Sequence, residues 1–169
     1  MAALRRQDFA SAMRILRPLA EAGDSRAQLQ LGTLYFQGAG VEKDDAEALK
    51  WTQRAAEQGV ADAQVHAGWM YIKGLGTRQD PKEGSRWLLL AAEAGSEAAQ
   101  FSIAWLYAQG AGVPRDPIQA LKWARLAADS GNRDAAGLQA QLEPMLTPDQ
   151  IREAERLAHD WRNARDRRI

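Results

Sequence analysis

The feature that most constrains this chain is a strict internal period. Gly38-x-Gly40 returns as Gly74-x-Gly76 and again as Gly110-x-Gly112, a step of 36 residues without insertion or deletion. A second series runs Gly23, Gly59, Gly95 and Gly131, and the same step links Tyr35, Tyr71 and Tyr107; Asp44, Asp80 and Asp116; and Trp51, Trp87 and Trp123. Ten of the 14 glycines are therefore structural punctuation rather than chemistry.

Between these marks the apolar spacing is helical. Ala27, Leu31, Leu34, Tyr35 and Gly38 fall on one stripe of a first helix, and Ala48, Trp51, Thr52, Ala55 and Ala56 on one face of a second. Asp44, Asp80-Pro81 and Asp116-Pro117 read as N-caps, two of them with proline at the first helical position. Gly59, Gly95 and Gly131 stand where a left-handed residue closes the second helix, and Ser96 and Asn132 can cap the next one. The spacing predicts helices at 9–22, 25–37, 45–58, 61–73, 81–94, 97–109, 117–130, 133–143 and 148–165, with Pro18 bending the first.

One pair of such helices cannot bury its stripe alone, so the pairs must stack. The expected fold class is all-α: a right-handed α-α superhelix, or solenoid, of helix-turn-helix repeats forming a single domain over 1–169. It comprises a half repeat at 8–24, full repeats at 25–60, 61–96 and 97–132, a half repeat at 133–143 and a capping helix at 148–165. The pattern fails after Ala136, and Thr147-Pro148-Asp149-Gln150 opens a last helix with Ile151, Ala154, Leu157, Ala158 and Trp161 on one side, a lid. At the other end Ala2 to Gln7 read as the last turns of a helix whose beginning is missing, so trimming or maturation from a longer precursor is expected.

The string Ala27-Gln28-x-x-Leu31-Gly32-x-Leu34-Tyr35-x-x-Gly38-x-Gly40-Val41-x-x-Asp44, continued by Ala48, Trp51, Ala55-Ala56 and Gly59, resembles the Sel-1-like repeat, a relative of the tetratricopeptide repeat. The second copy departs at Ala67, Met70, Thr77 and Gly84 and the third at Ile103 and Ala104, all mild for packing. The resemblance implies a non-catalytic adaptor of bacterial type that binds another protein or peptide. Two settings are compatible with it: a scaffold in an envelope or secretion assembly, and an immunity protein that masks a toxin. It also implies an exported, periplasmic setting in preference to a cytoplasmic one. Some cysteine-rich relatives staple each repeat with a disulfide, and this chain has no cysteine to do so.

Binding residues are sought at positions that the repeat leaves free. On the face of the first helices opposite the buried stripe, expected to line the concave groove, stand Trp69 and Trp105, Phe36, Phe101, Ile72 and Val65, with Gln30, His66, Ser102 and Lys73 as polar handles. Tryptophans there are either an exposed recognition patch or wedges packed sideways on the neighbouring repeat. A second candidate surface, on the outer helices, is Leu89, Leu90 and Leu126, where the first copy carries Gln53 and Arg54. It suggests at most weak self-association of a monomer.

Other classes fall away. Lys plus Arg, 22, equals Asp plus Glu, 22, so no net field draws the chain to nucleic acid, and no apolar run approaches the length of a membrane span. Arg162-x-x-Arg165-x-Arg167-Arg168 is a helix terminus diluted by Asp160 and Asp166. The two histidines, His66 and His159, lie far apart and no metal or cofactor motif appears. The Gly-x-Gly loops lack the third glycine of a dinucleotide turn, Asp44-Asp45 are caps, and His66 with Ser102 is the single nucleophile-and-base pairing worth naming. An enzyme is not expected; a glycan-binding module or hydrolase using the same groove is the alternative.

Overall fold

A computed structural model describes residues 9–167. Among them helices alternate with short loops and no strand occurs. The helices are α1 (Phe9–Glu21), α2 (Ser25–Gln37), α3 (Asp45–Glu57), α4 (Ala61–Lys73), α5 (Pro81–Glu93), α6 (Glu97–Gln109), α7 (Pro117–Asp129), α8 (Arg133–Leu142) and α9 (Pro148–Asp166), with a 3₁₀ turn at Glu143–Met145. Each falls within a residue of its predicted span, and α1 continues through Pro18. The turns expected at Ala2 to Gln7, Asp8 at the start of the first half repeat, and Arg168 lie outside the described residues.

Local chemistry sets the boundaries. The Asp44 carboxylate accepts from the amides of Ala46 and Glu47, Asp116 from Ile118 and Gln119, Ser96 from Ala99 and Asn132 from Ala135. Asp24 caps α2 in the same way, whereas Val60, at the equivalent position before α4, offers no side-chain cap. The first glycine of each Gly-x-Gly pair ends a first helix in the left-handed region, as at Gly38 with φ 67°. The second has a different reason. At Gly76, φ is 73°, and a Cβ would run into the backbone carbonyl of Asp45 at the start of α3, so here the loop of one repeat lies directly on the preceding repeat.

The contacts divide the chain into two compact units, one ending at Ala91 and the other beginning at Ala92. In the first, α1 packs on α2, α2 on α3 and α3 on α4. Its core is Leu31, Leu34, Tyr35, Leu49, Trp51, Met70 and Trp87 with many alanines. Within a repeat the two helices cross almost backbone to backbone. A Cβ on Gly32 would meet Thr52 Oγ1 at 2.5 Å and the Ala48 carbonyl at 3.0 Å, and one on Gly68 would meet Leu88 Cγ at 2.8 Å and the Gly84 carbonyl at 2.9 Å. Between repeats, Gln28 and Gln64 are buried at the start of their helices and donate from Nε2 to the carbonyls of Ala20 and Ala56, at 3.0 and 3.2 Å. Such a bond adds a second donor to a carbonyl in the last turn of the preceding helix, which already accepts from the amide of Gly23 or Gly59.

In the second unit α6 packs on α7, and α7 on α8 and α9. Gln100 repeats the stitch to the Ala92 carbonyl at 3.3 Å. The predicted lid is present: Thr147 and Gln150 form a reciprocal capping box, and Trp161 meets the buried Trp123 edge to face with centroids 6.0 Å apart. Arg125 on α7 clamps it, donating to Glu143 at 2.7 Å and to Glu155 on α9 at 2.6 Å. Two of the C-terminal arginines engage the lid: Arg162 pairs with Asp129 and Arg165 lies over the Trp161 ring.

Two measurements check this account. Gly59 also has positive φ, 82°, but open space around it, so Gly59→Ala is expected to cost only the backbone term, about 1–2 kcal/mol. Gly76→Ala adds overpacking of about 1–3 kcal/mol, read as a lower urea midpoint. Hydrogen bonds from Gln139 and then Arg125 hold the Glu143 carboxyl below the usual range. A lowered folded-state value contributes stability above the unfolded value of about 4.3 and loses it as pH falls through the folded value. Thermal stability of the lid, followed by tryptophan fluorescence, is therefore expected to drop in that acidic window, and Glu143→Gln to flatten the dependence.

Candidate functional site

The stripe that buries Ala27, Leu31, Leu34 and Tyr35 commits one side of α2 to the core, and the residues left over face away. Phe36 is 42% exposed, although glycine follows two residues later and nothing in the packing requires an aromatic there. On α4 the positions equivalent to Gln30, Thr33 and Gln37 hold His66, Trp69 and Lys73. Between these helices lies a pocket of ≈ 320 Å³. Phe36 and Trp69 line it together with Met70 and Leu75, Gly32 and Thr52 also contribute, and Thr33, Gln37, His66 and Lys73 are its polar lining.

The polar groups are arranged asymmetrically. Lys73 Nζ lies 5.8 Å from the Trp69 ring centroid and Lys43 Nζ 5.5 Å from that of Phe36. Lys43 is also paired with Asp45 at 3.3 Å. The Thr33 hydroxyl donates to the Leu29 carbonyl in its own helix. None of the lining residues is acidic. The pocket therefore combines an apolar slot with one basic residue, Lys73, in its polar lining. Among the described residues no cluster of three or more His, Asp or Glu could hold a metal ion, and no helix is long and apolar enough to cross a membrane.

Of the residues proposed from sequence, the structure brings Phe36, His66, Trp69 and Lys73 together. Val65 and Gln30 are half-buried outside the pocket lining, and Ile72 is also half-buried. Ile72 packs on α5: a Cβ on Gly84 would meet Ile72 Cγ1 at 2.6 Å. Phe101, Ser102 and Trp105 belong to α6 in the second unit, with Phe101 half-buried and Trp105 43% exposed. Two assignments are corrected. Ser102 is buried, and its hydroxyl donates to the Ala98 carbonyl at 2.7 Å, so it is neither a polar handle nor a waiting nucleophile. Leu126 is 3% exposed and belongs to the core, which leaves Leu90, at 38%, as the exposed member of the outer leucines, with Leu89 half-buried. Sequence reasoning missed Met70 and Leu75 in the pocket because it treated their positions as packing and loop.

The Sel1 repeat pattern matches residues 25–60, 61–96 and 97–132. Among solved structures, the chain is similar to a Sel1 repeat protein from Oxalobacter formigenes, with 34% identity and a TM-score of 0.75 over 79% of this chain and 55% of that one. It is similar also to c5321, a protective antigen of uropathogenic Escherichia coli strains with an SLR fold, with 39% identity and a TM-score of 0.70 over 73% of this chain and 26% of that one. The cysteine-rich protein B of Helicobacter pylori shares the fold at 18% identity, with a TM-score of 0.61 over 78% of this chain and 94% of that one. The chain thus spans about half the length of the first of these proteins and a quarter of the second. No curated protein matches it at a significant level.

Exposure makes the tryptophans separable by stability. Trp105→Ala is expected to change unfolding free energy by no more than about 1 kcal/mol and Trp69→Ala by about 1–2 kcal/mol. Trp123→Ala, which removes a side chain 1% exposed, is expected to cost about 3–5 kcal/mol in the same urea titrations.

Proposed function

The chain belongs to the Sel1 repeat family, whose members generally serve as protein-interaction scaffolds, and from that premise we propose that it binds an extended segment of a partner protein in the pocket between α2 and α4. The observation that carries this reading is the exposed Phe36 and the half-buried Trp69 lining one slot with a lysine ammonium over each ring. Aromatic anchors in a concave, preformed site are how a few residues come to dominate binding energy. Burying one large apolar side chain of the partner there contributes about 1.5–3 kcal/mol, so useful affinity needs further contacts along the segment.

Family membership also favours a non-catalytic role, and the Ser102 geometry removes the one nucleophile-and-base pairing that the sequence offered. In this reading the protein acts as a monomer without nucleic acid. Its setting is either a scaffold of a bacterial envelope or secretion assembly or the masking of a toxin, in an exported compartment. Likeness to a protein described as a protective antigen is the observation in favour of export.

The test is capture with wild-type protein beside a Phe36→Ala/Trp69→Ala variant shown to be folded by circular dichroism, followed by calorimetry with the captured protein. The expected result is one protein enriched by the wild type and bound at least tenfold more weakly by the variant, a difference of about 1.4 kcal/mol or more. Equal binding by both, or displacement of the partner by soluble glycans, overturns the proposal.

A further inference from the structure

The floor of the Phe36–Trp69 pocket holds one polar group that the packing does not use. Thr52 of α3 is 3% exposed and belongs to the lining. Other helical hydroxyls are spent inside their own helix: those of Thr33, Ser85, Ser102 and Ser130 each donate to the carbonyl four residues back, at 2.9, 2.8, 2.7 and 3.2 Å. The Thr52 hydroxyl makes no such bond to Ala48, and it has no other hydrogen-bond partner among the described residues.

This hydroxyl is turned to the pocket side of α3. A Cβ on Gly32, another lining residue, would stand 2.5 Å from Thr52 Oγ1. Nor is it sealed. Polar atoms that lack both a partner and accessible surface, such as Gln64 Oε1 and Trp87 Nε1, occur elsewhere in the first unit; Thr52 Oγ1 is not one of them, so it keeps surface open to the pocket that its residue lines. Helix packing does not ask for a hydroxyl here, because the equivalent positions hold Leu16, Leu88 and Ala124, all buried and apolar. A buried hydroxyl without a hydrogen bond is a standing destabilisation. The first repeat alone carries it, beneath Phe36 and Trp69.

We propose that the pocket receives a tyrosine side chain of the partner segment, its ring against Phe36 and Trp69 and its phenolic hydroxyl hydrogen-bonded to Thr52 Oγ1. The inference rests on the pocket reading above and names the residue that the pocket selects. Phe36, Trp69, Met70 and Leu75 require an apolar body, and the floor requires a hydrogen-bonding tip at the far end of that body. Phenylalanine, leucine and methionine have the body without the tip. Serine, threonine and asparagine carry a polar group on too short a stem, and the N–H of an indole lies on the side of its ring. A phenol has both, and since each hydroxyl can donate or accept, the pair forms in either direction. Phosphate on that phenol would bring charge onto an apolar floor whose one polar group is neutral, so phosphotyrosine is rejected.

The probes are acetyl-Ala-Tyr-Ala-amide, its phenylalanine counterpart and its phosphotyrosine form, each titrated into the full chain with the Gly32 backbone amide followed by ¹H–¹⁵N NMR. The tyrosine probe is expected to bind about tenfold more tightly than the phenylalanine probe, the worth of one neutral hydrogen bond, and the phosphorylated probe not to saturate. Thr52→Val, with thermal stability retained, is expected to weaken the tyrosine probe to the level of the phenylalanine probe. Thr52→Ala, which installs the residue of the third repeat, is expected to do the same. Equal binding of the two unphosphorylated probes that is lost in Phe36→Ala/Trp69→Ala overturns this inference and leaves the pocket reading standing. Tyrosine binding that survives that double variant overturns both. Absence of a saturable shift with the tyrosine probe, or a tyrosine preference that persists in Thr52→Val, overturns this inference.

Discussion

Within each repeat, two helices approach so closely that there is almost no room for side chains where they cross, and the other features are arranged around that restriction. At this crossing the first repeat has Gly32 against Ala48 and Thr52, the second Gly68 against Gly84 and Leu88, and the third Ala104 at the register facing Ala120 and Ala124. Where one position gains a methyl or isobutyl group, another loses one, so the volume at the crossing stays nearly constant. Close packing of this kind tolerates exchange of volume but not a net increase. The first pocket borders this crossing: Gly32 and Thr52 are part of its lining, beside Phe36 and Trp69.

Most of the helical architecture was legible because it repeats. A glycine or aspartate seen once is ambiguous, but the same residue at Asp44, Asp80 and Asp116, or Gly38, Gly74 and Gly110, states its role through position, and most helix ends of the three full repeats followed from such marks. The site was legible only in part. Phe36, His66, Trp69 and Lys73 stood out as residues with no packing task, and they do share a pocket. Ser102 and Leu126 were misjudged because a helical wheel assigns a face but not what lies over it, and both positions prove to be covered. Nor could spacing reveal that Gln28, Gln64 and Gln100 work across a junction, since each carbonyl partner belongs to the preceding helix, eight residues back.

The glutamine stitches also bear on how the chain can change its length. Each joins the beginning of one repeat to the end of the one before, and the carbonyl it needs lies at the same distance along the chain every time. A duplicated or deleted unit cut between equivalent glycines, such as Gly59 and Gly95, therefore carries one glutamine and one acceptor carbonyl with it and leaves no junction unsealed. The array can grow or shrink by whole repeats while its seams stay intact, and the span of its binding surface becomes a heritable variable.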